Sequence, residues 1–154
     1  MVTLRGLTQG EFDSVMKDEM KHYAGEKVKA GTWTEDEAMT LSKETFQNLL
    51  PDGHKTRHHD FLGIDHDDVF IGYFWYNFDP EHKQKQAFIY NFLIFESEQG
   101  KGYGEAALRA LESYLKGQGV DKLALHVFGH NQRAINLYKK LEFQVTNINM
   151  SKQL

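Results

Sequence analysis

Gln99-Gly100-Lys101-Gly102-Tyr103-Gly104 lies between an apolar run, Ala87 to Phe95, and an amphipathic run, Glu105 to Lys116. A strand that feeds a glycine-rich turn and then opens a helix makes an anion cradle. The first backbone N–H groups of a helix have no partner inside it, and the helix dipole adds partial positive charge at that end. Glycines at alternate positions let the backbone approach a phosphate with no Cβ in the way. The stretch therefore implies a phosphorylated ligand.

Three phosphate-loop patterns compete for it. The P-loop needs Gly-Lys-Ser/Thr after four variable residues, and no such run exists. The dinucleotide pattern G-x-G-x-x-G, started at Gly100, meets Glu105 where its third glycine belongs. Started at Gly102 it meets Ala107, which the looser form allows. That fingerprint belongs to the first strand of its fold, with an acidic residue roughly 20 residues later. Here the loop comes about two-thirds along the chain. The third pattern is the pyrophosphate loop of acetyl-coenzyme A (acetyl-CoA) transferases. Gln99-x-x-Gly102-x-Gly104 resembles the Gln/Arg-x-x-Gly-x-Gly/Ala loop of the GNAT superfamily of N-acetyltransferases. A second segment resembles the same superfamily. In His130-Asn131-Gln132-Arg133-Ala134-Ile135-Asn136-Leu137-Tyr138-Lys139-Lys140-Leu141-Glu142-Phe143, the Asn, Ala and Leu-Tyr recur at the family's spacing. The two motifs cover roughly the last third of the chain. One departure is visible: Glu142 stands where the family usually has Gly, so the turn leaving the helix lacks glycine's freedom.

The 154 residues suit one domain, 1–154, with ample apolar and aromatic content for a core. The formal net charge of −4 and the lack of any basic stripe argue against nucleic acid as a partner. An acidic balance mildly favours a cationic substrate such as an amine. There is no cysteine, which excludes disulfides, a thiolate zinc site and a cysteinyl acyl intermediate. No basic segment precedes an apolar run at the N-terminus, and no apolar stretch is long enough to cross a bilayer. The expectation is a cytoplasmic protein with no membrane partner, monomer or homodimer.

Along the chain, Val2 to Leu4 reads as a short strand. Thr8 with Glu11, and Thr34 with Glu37, match capping boxes. Phe12, Val15, Met16, Met20 and Tyr23 follow helical spacing after the first, and Ala38, Leu41, Thr45 and Leu49 after the second. Gly25–Trp33 connects the two helices. His59 to Ile64 and Val69 to Phe78 read as strands around an Asp65–Asp68 turn, and Gln86 to Phe95 as the next. The glycine loop, a helix stopped at Gly117-Gln118-Gly119, a strand Lys122–Phe128, a helix Gln132–Leu141 and a last strand Gln144 to Met150 complete the order. Strand–helix–strand succession demands parallel pairing, and the hairpin-like middle demands antiparallel pairing. The expectation is an α/β (α+β mixed) fold. It has a central mixed, mostly antiparallel sheet of six to seven strands flanked by about four helices, which is also the fold that the GNAT resemblance implies.

The resemblance implies a direct transfer of an acetyl group from acetyl-CoA to a primary amine, with no metal. Backbone N–H groups from Gln99, Gly100, Lys101, Gly102, Tyr103 and Gly104 would face the pyrophosphate. Phe92, Leu93 and Ile94 match the strand whose backbone pairs with the pantetheine arm; their side chains also read as core. Asn131 matches a pantetheine contact, and Asn is also a good N-cap. Ala134 and Tyr138 project on one helix face. Tyr138, a phenol with a reference pKa of about 10, matches the general acid that quenches the thiolate. The base is open: Asn91, the residue before Phe92, cannot serve, which leaves Tyr90, Glu96 and His126, or solvent. His54, His58, His59 and His66 fit no zinc spacing. Trp33, Thr34, Tyr73, Trp75 and Tyr76 are candidates for an acceptor pocket or for aromatic core. The acceptor is a small-molecule or peptide amine. A non-catalytic acyl-CoA sensor and a nucleotide-binding protein stand as alternatives.

Overall fold

Five strands form one sheet in the order β1-β2-β3-β4-β5. The computed structural model describes residues 1–154. The strands are β1 (Val2–Gly6), β2 (His59–His66), β3 (Val69–Asn77), β4 (Gln86–Ile94) and β5 (Lys122–Leu125). The helices are α1 (Gln9–Lys29), α2 (Glu35–Leu49), α3 (Tyr103–Gly117) and α4 (Gln132–Lys140). The first four strands pair antiparallel, and β5 pairs parallel to β4. The mixed sheet is therefore mostly antiparallel, as the sequence implies.

The sheet is covered on both faces, which explains why Tyr73–Tyr76 is continuously aromatic. Phe61, Tyr73 and Trp75 point toward α1 and α2, against Phe12, Val15, Met16 and Phe46. Ile64, Phe74, Tyr76 and Ile89 point the other way, against Ala107, Leu108, Leu111 and Leu115 of α3, with Leu137 and Tyr138 of α4 at the margin. The capping box at Thr8 forms in full: the Thr8 hydroxyl accepts from the Glu11 N–H at 3.2 Å and Glu11 accepts from the Thr8 N–H at 2.9 Å. Arg5 then clamps β1 to both α1 and β2, donating to Glu11 at 2.8 Å and to Asp65 at 2.6 Å. That guanidinium holds the Glu11 carboxyl down to about 2.

Several boundaries differ from the sequence reading. The sheet has five strands, not six to seven, because Gln144–Met150 is not a strand. Its apolar side chains are few and exposed, Val145 at 61% and Ile148 at 68%, and Asn147 and Asn149 are weak strand formers. β5 stops at Leu125 rather than Phe128, whose ring turns away to stack on His130. α1 runs through Gly25 to Lys29, where Lys27 and Lys29 complement the helix dipole. The second capping box is incomplete: Thr34 is the N-cap, yet its hydroxyl donates to the Glu37 carboxylate at 3.0 Å instead of accepting from the backbone.

α4 ends in a Schellman motif. The Phe143 N–H donates to the Tyr138 carbonyl at 2.9 Å and the Glu142 N–H to the Lys139 carbonyl at 3.0 Å. The residue between them, Glu142, takes the left-handed φ of 71° that favours glycine. Glu142→Gly is therefore expected to stabilise the protein by about 1 kcal/mol. Differential scanning calorimetry would read this as a rise of about 3 °C in the thermal midpoint.

Candidate active site

Two strands that begin as neighbours separate at the site. β4 pairs with β5 only from Gln86 to Ile89. Its pairing with β3 shifts register there, since Trp75 faces Asn91 and Tyr76 faces Ile89, so Tyr90 is the extra, bulged residue. Beyond the bulge the second edge of β4, through Phe92, Leu93 and Ile94, has no strand beside it and lines a cavity of about 760 Å³. The Phe92 ring meanwhile stacks on Phe74 at 4.5 Å, so side chain and backbone serve different ends.

At one end of this cavity the glycine loop opens α3. Gly100 and Gly102 have φ of 80° and 82°, which L side chains rarely adopt. The backbone N–H groups of Gly100, Lys101, Gly102, Tyr103, Gly104 and Glu105 donate to no protein acceptor. Six consecutive free donors at a helix N-terminus can hold an anion of the size of a pyrophosphate. The Gln99 N–H differs from the expectation, because it donates to the Glu96 carbonyl at 3.2 Å. The Gln99 side chain shapes the loop: it donates to the Ile94 carbonyl at 2.8 Å and accepts from Arg133 at 3.1 Å. Lys101 pairs with Glu98 at 3.1 Å, and its side chain is not part of the cavity wall. Arg133 and Lys140 line that wall instead, Lys140 paired with Glu105 at 3.0 Å. Tyr103 packs on His66 at 4.5 Å between ring centres, so its contribution to the loop is its backbone. Gly104 lets α3, α4 and β4 converge: a Cβ there would meet Leu137 at 3.4 Å and Phe92 at 3.8 Å.

α4 supplies the opposite wall. The Asn131 side chain caps the helix, accepting from the Ala134 N–H at 3.3 Å, and both residues line the cavity. Tyr138 lines it too, and burial alone, with no hydrogen bond, perturbs its hydroxyl. Burial pushes that phenol up to about 12. The Schellman motif fixes its ring, because Phe143 packs edge-on against it at 5.6 Å.

The far end of the cavity is walled by α1, α2 and the bulge. Of the three base candidates, Tyr90 and His126 line the cavity and Glu96 does not. Burial, and then Lys27, lower the His126 imidazole. Of the five aromatic-pocket candidates only Trp75 lines the cavity. Tyr73 and Tyr76 are buried in the two cores, Trp33 packs against Tyr23 at 5.6 Å, and Thr34 caps α2. The four histidines are scattered: His59 accepts from the Trp75 indole at 2.9 Å, His54 packs on Phe12, His66 on Tyr103, and His58 lies beside Asp79. No group of three His, Cys, Asp or Glu side chains is placed to hold a metal ion.

Sequence reasoning missed Glu19. It is buried on α1 and lines the cavity. Burial pushes its carboxyl up, the Asn91 amide pulls it down and Glu26 pushes it up, to about 7. The signal was available: Glu19 follows Phe12, Val15 and Met16 at seven, four and three residues, so a carboxylate occupies the apolar stripe.

The sequence matches the model of the Acetyltransferase (GNAT) family over residues 22–143. The uncharacterized N-acetyltransferase YycN of Bacillus subtilis is 45% identical over 99% of each chain. The crystal structure of B. subtilis YycN superposes with a TM-score of 0.97 at 44% identity, covering 100% of this chain and 99% of that one. The spermine/spermidine N(1)-acetyltransferase of B. subtilis is 28% identical over 66% of this chain and 70% of its own. The fold is shared with the PaiA N-acetyltransferase of Thermoplasma acidophilum, solved in complex with coenzyme A, at a TM-score of 0.69 and 19% identity over 97% and 93% of the two chains. No helix of the structure is long and apolar enough to cross a membrane.

Proposed function

The chain belongs to the GNAT family of acetyltransferases, and on that premise we propose that it moves an acetyl group from acetyl-CoA to a primary amine by direct attack in a ternary complex, as one domain spanning residues 1–154. One observation carries this reading. The glycine loop, whose amides from Gly100 to Glu105 are free, and Tyr138 line the same cavity.

Gly100 to Glu105 hold the pyrophosphate through backbone N–H groups, with Arg133 and Lys140 adding charge nearby. The exposed edge of β4 at Phe92–Ile94 receives the pantetheine arm, and Asn131 and Ala134 border it. Bound acetyl-CoA supplies an activated acetyl group as a thioester. A β4 backbone N–H polarises the carbonyl as charge develops on its oxygen. Tyr138 donates its hydroxyl hydrogen to the departing sulfur. The acetyl group passes straight to the amine, and with no cysteine in the chain no cysteinyl intermediate competes with that route. The acceptor is a small-molecule or peptide amine; the spermine/spermidine acetyltransferase relative supports an aliphatic one. Use of acetyl-CoA goes with a cytoplasmic location.

The test is a panel of amines incubated with acetyl-CoA and the purified protein, reading free thiol. Thiol release that depends on both substrates, with intersecting initial-rate patterns, is expected. Tight coenzyme A binding with no transfer to any amine would make the protein an acyl-CoA sensor.

A further inference from the structure

We propose that Glu19 is the catalytic carboxylate on the acceptor side of the cleft, taking the proton from the ammonium group of an aliphatic primary amine that enters between α1 and the bulge of β4. The inference rests on the acetyltransferase reading above. Glu19 is 9% exposed, and no Lys, Arg or His pairs with it. A buried carboxylate with no cation beside it costs stability, and packing alone would be served better by an apolar residue. Its place is what distinguishes it: it shares one continuous cavity with the loop amides and with Tyr138.

The surroundings fit an alkylammonium. Tyr23, Phe46, Trp75 and Tyr90 wall this end of the cavity, and cations are attracted to aromatic faces. Charged and titratable groups face Glu19 from every side. Asp18, His22, Tyr23 and Glu26 stand on its own helix, Tyr73 and Tyr90 on the sheet, His126 on the cavity wall, and His130 beside Glu26. Glu26 is engaged by His130, which leaves Glu19 as the free acceptor. Asn91, whose amide donates to the Tyr73 hydroxyl, orients the Glu19 side. With its carboxyl near 7, Glu19 is poised to accept a proton at neutral pH and release it again.

The protons balance. Glu19 takes one proton from the ammonium, and the amine nitrogen then bonds the acetyl carbonyl carbon. The C–S bond breaks, the sulfur takes the Tyr138 proton, and the new amide nitrogen returns its extra proton to the Tyr138 oxygen. Glu19 gives its proton to water, so one proton leaves per turnover.

The test compares ethylamine with 2,2,2-trifluoroethylamine, similar in shape, one charged and one largely neutral at pH 7. Glu19→Gln is expected to lose about 100-fold in kcat/KM on ethylamine and under about 3-fold on the fluorinated amine. Coenzyme A affinity by calorimetry is expected to be unchanged. Carbon-13 NMR of glutamate-labelled protein is expected to show one carboxyl titrating near 7, absent in the variant. Equal losses on both amines, undiminished transfer to ethylamine, or a Glu19 carboxyl titrating in the usual carboxylate range would overturn the proposal, the last even if neither amine is turned over. A wild-type protein that transfers to no amine in the wider panel overturns the acetyltransferase reading as well.

Discussion

Tyr138→Phe is expected to lower kcat by about 10²- to 10⁴-fold while leaving coenzyme A affinity within about 2-fold, the range that loss of a positioned acid commands. The substitution removes one oxygen. No hydrogen bond contributes to the state of that oxygen, so its loss orphans no partner, and the ring stays held by Phe143. A fall in rate therefore reports chemistry rather than folding. The sign of the pH dependence follows from burial. With the phenol pushed up to about 12, its acid form persists across the working range, so Tyr138 imposes no falling limb below about pH 10. A thiol has a reference value of about 8.5, so moving the proton from this phenol at about 12 to a free thiolate is uphill by about 3.5 pK units. In the proposed mechanism the proton moves as the C–S bond breaks, driven by the acidic nitrogen of the newly formed amide. Steady-state kinetics from pH 6 to pH 10 check both points. A Tyr138→Phe variant with wild-type turnover, or a wild-type profile that falls near pH 8, would remove Tyr138 from the mechanism.

The donor half of the site was legible because glycine reports backbone geometry directly. Gly100 and Gly102 sit at positive φ, and a reader of Gln99-x-x-Gly102-x-Gly104 needs only local rules to place free amides at a helix start. Tyr138 was legible through the resemblance of its Leu137-Tyr138 pair to the GNAT segment, since helical spacing alone reads a tyrosine there as core. The acceptor half was not legible in this way. It is assembled by α1 crossing β3 and β4, whose cavity residues Trp75 and Tyr90 lie more than 50 residues after Glu19, and no local pattern records that crossing. Glu19 interrupts an apolar stripe, but nothing in the stripe itself says that this residue faces a cleft rather than solvent. The bulge at Tyr90 is a property of two strands in register, invisible in either one. The tail beyond Phe143 was over-read: a few apolar residues suggested a strand where nothing is buried.

Gly72→Ala is the substitution expected to do most damage to the fold, and the reason lies in that same register. Gly72 sits in β3 opposite Ile94, next to the Tyr73–Leu93 pair. A Cβ at Gly72 would lie 2.1 Å from the Leu93 carbonyl oxygen and 3.0 Å from the Ile94 Cα. Both obstacles are backbone, so no rotamer change relieves them, and β3 and β4 must part by about 1 Å to reach ordinary contact. The expected cost is about 3 kcal/mol or more, read as a fall of about 10 °C in the thermal midpoint. The displaced segment is Leu93–Ile94, the edge proposed to receive pantetheine, and the Ile94 carbonyl also anchors the Gln99 side chain. Coenzyme A affinity should therefore fall together with stability, by about 10-fold for a loss near 1.4 kcal/mol. Gly25→Ala serves as the control: Gly25 lies inside α1 with no atom within 4 Å of an added Cβ, so alanine there should stabilise by up to about 1 kcal/mol. If Gly72→Ala melted with the wild type, the close approach of β3 to β4 at Leu93 would be wrong, and with it the account of how the sheet opens at the cleft.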